Sequence, residues 1–370
     1  MMKTLCKYPN GSVLPLAVVL MVLFLLVLAV VADLGWVCIV KNELQNAADA
    51  AALAGVSQLP DEGFLLGSPD QTDDIISCRD FAETFAAHNK AAHKSLLLDR
   101  NEANYTSGGI VVGYIANPLD LSSLFQVEGV SEYNSVRVEA SLTNALNGPL
   151  ELLLGAVTGL ETIEVRARAT ATIDDRICGF KIKGQERLDM LPFSLDQDYW
   201  NQCLQEYAAT GNPIKIYPND PETPGNFGTI DIGPPDNSAS DLVRQIENGI
   251  SPDDLAAVGG FILEDRGDGV YIKEFQGDTG ISNVVGNALD NIQGQDRILP
   301  IHANVINPGN NAIFEVCGFV GVRIFDVHMT GAVDKRYIRV EPRIVQSAHA
   351  VIDPSASHSH LVFASALTQM

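Results

Sequence analysis

Five consecutive residues, Asp236-Asn237-Ser238-Ala239-Ser240, set oxygen-bearing side chains at alternate positions. Asp236, Ser238 and Ser240 thus form a D-x-S-x-S spacing of the kind that grips a hard cation through oxygen ligands. A metal loop of this kind follows directly on a buried apolar strand, whereas Gly233-Pro234-Pro235 stands before this one. The plainer reading is a loop ending in a helix N-cap at Ser240. Asp265 and Asp268 flank a glycine turn, but they lack the first, third and fifth acids of a calcium loop. His88 and His93 are five apart and so do not share a helix face, as zinc-binding pairs four apart do. His358 and His360 lie close to the C-terminal tail. The acidic pairs Asp73-Asp74, Asp174-Asp175 and Asp253-Asp254 read as solvated surface. The sequence contains no nucleophile elbow, Walker loop, HExxH pair or dinucleotide fingerprint. It therefore nominates no catalytic residue and no cofactor, and reads as that of a non-enzyme.

The six cysteines are Cys6, Cys38, Cys78, Cys178, Cys203 and Cys317, and none forms a CxxC pair. Such wide spacing argues against a zinc site. In an oxidising compartment Cys178 and Cys203, the nearest in sequence of the soluble set, are the expected disulfide; the alternative is that they are buried thiols.

The element that must position everything else is an apolar run. Val13 to Ala32 carries no charge, and at roughly 1.5 Å per residue it spans about 30 Å, the hydrocarbon thickness of a bilayer. Lys3 and Lys7 precede it without an acid, so the positive-inside rule puts the N-terminus in the cytoplasm and the rest of the chain outside. Trp36 then lies at the outer interface. A rival reading is a secretory signal cleaved before Asp33, but apolar character resumes from Leu34 to Val40, which favours retention. Asn42 to Gly55 is rich in helix formers and ends at a glycine suited to a C-cap, so the membrane helix is expected to project outward to about residue 55. Ala47, Ala48, Ala51 and Ala54 offer a small-residue face for close helix packing.

The chain has 24 basic and 46 acidic side chains, a formal charge of -22. Residues 1–41 hold three of the bases and a single acid, Asp33, so the acidity belongs to the soluble part. Such a surface repels a phosphate backbone, which excludes nucleic acid as a partner.

Downstream, a helix is expected from Ser77, as N-cap, to about Ser95, with Phe81, Phe85, His88 and Ala92 on its buried face and Asp70 to Asp74 as a loop. Period-two runs at Val136 to Leu142 and Ile163 to Ile173 predict strands, with a short apolar helix at Pro149 to Val157 between them. A boundary is expected near Asp174 to Lys183. Beyond it Pro213, Pro218, Pro221 and Pro224 mark a loop-rich stretch. Helices near Asp241 to Asn248 and Ile281 to Ile292 follow, with a hairpin over Phe261 to Glu274 turning at Gly267-Asp268-Gly269 and strands at Phe314 to Val327 and Arg336 to Ile344. The fold class is α+β, mostly antiparallel. The expected organisation is a tail (1–12), a transmembrane helix (13–40), a helix extension with a small helix-plus-sheet region (41–175) and a C-terminal α+β region (176–370).

The run from Gly11 through the apolar segment to KNELQNAADAAALAG (Lys41 to Gly55) resembles the N-terminal module of the TadE/TadG-like family of the Flp (Tad) pilus assembly machinery. LPFSLD (191–196), GNFGTIDIG (225–233), the 277–294 stretch before ILPI (298–301) and FEVCGFVGV (314–322) look like the periplasmic part of TadG-like proteins. The resemblance implies a pilin-like helix laid on a small antiparallel sheet. It also implies a single-pass protein of the bacterial inner membrane whose bulk lies in the periplasm, with the lipid bilayer and other pilus assembly proteins as partners. Pilin relatives are cleaved after a leader glycine and carry a glutamate five residues on. Here Gly11 fits, but Leu16 occupies the glutamate position and Pro15 intervenes, which favours an uncleaved anchor over a minor pilin or pseudopilin cleaved after Gly11. Some TadG-like proteins carry a von Willebrand A domain, whose metal pattern Asp236 to Ser240 matches. A cation-binding periplasmic adhesin or sensor is the corresponding alternative.

Overall fold

A helix of 44 residues, α1 (Val13–Val56), opens the structure, a computed structural model that describes residues 13–61, 63, 70–182, 184–217, 227–234, 238–267, 269–278, 285–309, 311–332, 335–359 and 361–368. Its 13–28 stretch is exposed on every side, with Val13 75% and Phe24 62% accessible, which in water is unfavourable for side chains of this kind. From Val40 onward the helix becomes one-sided. Val40, Leu44, Ala47, Ala48, Ala51 and Ala52 recur at three- and four-residue spacing and are fully buried.

Contacts divide the chain into two units, one of residues 1–52, 80–111 and 137–169, the other of 53–79, 112–136 and 170–370. The sequence suggested one cut near residue 175. Instead several elements run covalently from one unit into the other: α1, α2 (Thr72–His88), β1 (Ile110–Gly113), β2 (Ser135–Leu142) and β5 (Val165–Asp174). The first unit also contains a small antiparallel hairpin, β3 (Leu150–Glu151) and β4 (Thr162–Ile163), with the single-turn helix α3 (Gly155–Thr158) at its tip. In this unit Val138, Ala140 and Leu142 of β2, and Val165, Ala167 and Ala169 of β5, are buried, while Arg166 and Arg168 point outward and hold Glu139 at 3.3 and 2.7 Å.

α2 differs from expectation at both ends. It starts at Thr72, where Asp70 accepts from the Thr72 backbone N–H (3.2 Å) and hydroxyl (2.6 Å), so Ser77 lies inside the helix and caps nothing. It ends at His88, because Ala92 and His93 adopt φ of 48° and 64°, which no helix continues. Phe81 and Phe85 are each 43% exposed; the buried face is Cys78, Ala82 and Ala86. Aromatic spacing therefore selected the wrong side, since the small residues on the other face are the ones packed inward.

The second unit is built on an eight-stranded sheet, with strands in the order β11-β12-β9-β7-β13-β14-β15-β8. In chain order its elements are β6 (Ile177–Phe180), β7 (Phe193–Asp196), α4 (Gln197–Thr210), β8 (Ile214–Tyr217), β9 (Phe227–Ile230), α5 (Ala239–Asn248) and α6 (Pro252–Ala257). There follow β10 (Phe261–Ile262), β11 (Glu264–Asp265), β12 (Tyr271–Asp278), α7 (Gly286–Asn291), β13 (Asp296–Ile306), β14 (Ala312–His328) and β15 (Tyr337–Pro342). Last come β16 (Val345–Gln346), β17 (Ala350–Ile352) and β18 (Val362–Leu367). Within the eight-stranded sheet the pairs are antiparallel except β7 with β13, and outside it β16 and β18 also pair in parallel. One core cluster unites Phe193, Phe227 and Val322 with Trp200 of α4, Ile246 of α5 and Leu289 of α7. The other gathers Phe180, Phe261, Phe275, Phe314 and Phe319. The protein is thus α+β, with a long apolar N-terminal helix and a β-rich C-terminal region. The predicted strands at 314–327 and 336–344 and the helix at 241–248 are present as β14, β15 and α5. Of the helix expected over 281–292, α7 covers 286–291, while 281–284 lie outside the described residues.

Candidate functional site

The chemistry that the sequence could offer is taken up by the fold. Ser238 Oγ accepts the Asp241 backbone N–H at 3.3 Å as N-cap of α5, and also lies 2.7 Å from Asp241 Oδ2 and 2.7 Å from Ser240 Oγ. The cap is therefore Ser238, two residues before the Ser240 expected, and its hydroxyl is spent on the helix end. Asp236 lies outside the described residues, as do Asp268, His360 and Gly11. Asp265 holds the Gly267 and Gly269 amides at 2.8 and 3.3 Å, closing the β11–β12 turn. Among the described residues no group of three His, Cys, Asp or Glu side chains could hold a metal.

Two of the three acidic pairs have structural partners, and the third opens a helix. Asp73 and Asp74 sit in the first turn of α2, where the helix dipole favours negative charge, although burial and then the neighbouring Asp61, Asp73 and Asp70 push Asp74 up to about 6. Asp174 binds Arg176 in two-pronged fashion, at 2.9 Å to Nε and 2.5 Å to Nη2. Asp254 completes a capping box with Ser251 and receives both Arg244 Nη atoms at 2.7 and 2.9 Å. His358 and His93 are occupied too. His358 Nδ1 is 2.6 Å from Asp175 in a cleft of about 180 Å³ that Tyr114, Glu132 and Arg176 also line, and His93 stacks on Trp36 at 6.2 Å between centroids. A Ser–His contact that sequence reading missed, Ser194 Oγ to His302 Nδ1 at 2.8 Å, joins β7 to β13. Both residues are wholly buried, and His302 lies edge-on to Phe314, so the contact serves to satisfy polar groups in the core.

Cys178 and Cys203 are free thiols, contrary to the expected disulfide. Cys178 Sγ–H is directed at Val351 O (3.4 Å), while Cys203 packs against the Phe193 cluster, and burial raises both thiols. Burial likewise pushes Cys78 and Cys317 up to about 12, far from a reactive thiolate.

What remains is the region where the apolar helix ends. Asp33, only 5% exposed, accepts the Leu154 backbone N–H on Oδ1 at 2.9 Å. One turn on, Trp36 Nε1–H is donated to Glu151 O at 3.2 Å. Glu43 accepts the Ala92 amide at 2.8 Å. Lys41 donates to Arg166 O, and Gln45 donates to Arg168 O at 3.0 Å. This last pair follows from geometry: four helical residues rise about 6 Å and two strand residues about 6.6 Å, so side chains at i and i+4 meet alternate carbonyls along β5. Those carbonyls would otherwise leave an unpaired strand edge. Ala47, Ala48 and Ala51 are fully buried and Ala54 is half-buried, so this small-residue face is occupied within the chain itself.

Residues 11–58 match the Tad family model, which describes Flp pilus-assembly TadE/G-like proteins. No curated protein matches the chain, and no solved structure matches it. The matched segment coincides with α1 (Val13–Val56), the one described helix long and apolar enough to cross a membrane.

Proposed function

Because residues 11–58 carry a TadE/G-like pilus-assembly module, we propose that the protein is a membrane-anchored, non-enzymatic component of a Flp/Tad-type pilus apparatus, closest to TadG-like proteins. In this reading α1 crosses the bacterial inner membrane with the N-terminus in the cytoplasm. The acidic bulk stands in the periplasm and works by binding other assembly proteins. The observation that carries it is the coincidence of the family match with a helix whose first 16 residues are apolar and exposed all round. A helix hydrophobic on every side must be enclosed by protein or by lipid.

Under this proposal the protein stays with the membrane pellet through carbonate extraction, and a deletion strain loses pili. Recovery of a soluble form beginning at Asp33, or normal piliation in the deletion strain, would defeat it. The minor-pilin alternative is separated by mass spectrometry of the mature N-terminus, since an intact segment before Gly11 excludes it. The sensor or adhesin alternative is separated by calorimetric titration with magnesium and calcium.

A further inference from the structure

We propose that the β3–α3–β4 hairpin is a second membrane-binding element, seated in the outer leaflet beside the point where α1 leaves the bilayer; this rests on reading α1 as the membrane span. The hairpin tip is apolar and exposed. Leu153 is 64%, Leu154 39%, Val157 55% and Leu160 53% accessible, and Leu34 on α1 adds another 62%. In water such a patch is costly, while the charged residues of the hairpin, Glu151 and Glu161, lie at its base and the tip carries one polar residue, Thr158.

The depth of the tip is fixed by two hydrogen bonds already described. Leu154 N–H is held by Asp33, the first charge after the apolar run, and Glu151 O by Trp36, a residue type that concentrates at membrane interfaces. One helical turn inside Asp33 on the same face, about 6 Å deeper, Ala29 is 2% exposed, whereas its neighbours on α1 are exposed. The chain therefore folds back against the helix at a level that lipid occupies. A backbone can enter that level only if its amides are bonded internally. Here Leu152 N–H goes to Glu161 O, Leu154 to Asp33, Val157 to Leu154 O and Gly159 to Gly155 O, each at 2.8–2.9 Å. Gly155 allows the tight turn, since a Cβ there would stand 2.5 Å from Leu160 O. Lys94 and Glu151 line a crevice of about 270 Å³ shared with Trp36 and Leu153, which sets charged groups of both signs at headgroup level. Continuity of the leucine patch with the exposed apolar span favours lipid over a protein partner.

The test uses the full-length chain in phosphatidylcholine vesicles brominated on the upper acyl carbons, with Val157→Trp as a reporter against the native Trp36 and Trp200. Flotation with the vesicles establishes anchoring separately. The expected result is that the protein floats and that the added emission is blue-shifted, quenched by bromolipid and untouched by aqueous iodide. Floating protein whose added emission is quenched by iodide, or shielded from both quenchers as a protein interface would shield it, overturns the hairpin proposal and leaves the anchor standing. Protein that does not float overturns both. If Val157→Trp does not fold, Leu160→Trp gives the same reading.

Discussion

Replacing Asp33 by alanine should release the hairpin tip from the helix without unfolding the hairpin. Asp33 Oδ1 is the acceptor for the Leu154 amide at 2.9 Å, and the carboxylate is 5% exposed, so little water stands ready to replace it. Leaving a buried donor without its partner costs about 1–3 kcal/mol, and every 1.4 kcal/mol is about tenfold, so protection of the Leu154 amide should fall by roughly 5- to 100-fold. The Leu152 amide serves as internal control, because its acceptor is Glu161 O across the β3–β4 ladder. Hydrogen exchange followed by NMR or by fragmentation mass spectrometry, on protein in lipid nanodiscs, reads both sites. The variant should show a fast Leu154 and a nearly unchanged Leu152. Equal protection of Leu154 in both proteins would show that Asp33 does not hold the tip, and the depth assigned to the hairpin would lose its main support.

Three further outcomes follow from the second unit. Burial and then the nearby Asp278 push Asp231 up to about 6, so the folded state binds its proton more tightly than the unfolded chain. That contribution is present below the ordinary carboxylate value and is lost as pH rises through about 6; Asp231→Asn should therefore stabilise by about 1 kcal/mol at neutral pH, after discounting for partial exposure, and raise the melting temperature by about 2–4 °C, with no gain in acid. Arg244→Ala should cost about 2–3 kcal/mol, since it strips the guanidinium from an Asp254 side chain only 4% exposed. Although burial opposes it, hydrogen bonds from Arg244 and Ser251 hold Asp254 below the usual carboxylate range, so the loss in chemical denaturation should shrink as pH falls and Asp254 protonates. Gly277→Ala would bring a Cβ to 1.9 Å from Thr229 O in the neighbouring strand, so the variant should lose several kcal/mol or fail to fold, and circular dichroism of the purified protein decides this.

The elements with strong periodicity were legible in the sequence. β2, β5 and β15 announce themselves because one face of each alternates with charge, as in Arg166 and Arg168 of β5. α2 was misread because apolar spacing ranks Phe81 and Phe85 above Ala82 and Ala86, whereas close packing rewards small side chains that let backbones approach. Its start was missed because Asp70, placed in a loop, spends its carboxylate on Thr72. The Ser194–His302 contact could not be anticipated, since 108 residues separate the partners and only strand order brings them together. Cys178 and Cys203 are nearest in sequence, but proximity along the chain says nothing of where the fold puts them: Cys178 against Val351 O, Cys203 against the Phe193 cluster. The region around Asp33 was only partly legible: Pro149 to Val157 reads as a short helix, whereas the structure has β3 at Leu150–Glu151 and α3 at Gly155–Thr158.

α1 changes character along its length, and the change is written in its side chains. Over 13–28 every position is apolar and exposed, so the helix has no preferred face there. From Asp33 to Gln45 the polar groups stop being solvated surface and become connectors: Asp33 and Trp36 bind the hairpin, Glu43 the Ala92 turn, Lys41 and Gln45 the β5 edge. Rotation or sliding of the helix by one residue, about 100° and 1.5 Å, would break all of these together. The apolar segment can therefore be exchanged for another apolar helix only if residue 33 keeps its phase relative to 41 and 45. Insertion of a single alanine between Ala32 and Asp33 leaves that phase intact, whereas the same insertion between Trp36 and Lys41 sets the hairpin contacts against the β5 contacts. The first variant should fold with its hairpin protected from exchange, and the second should lose one set of contacts or the other.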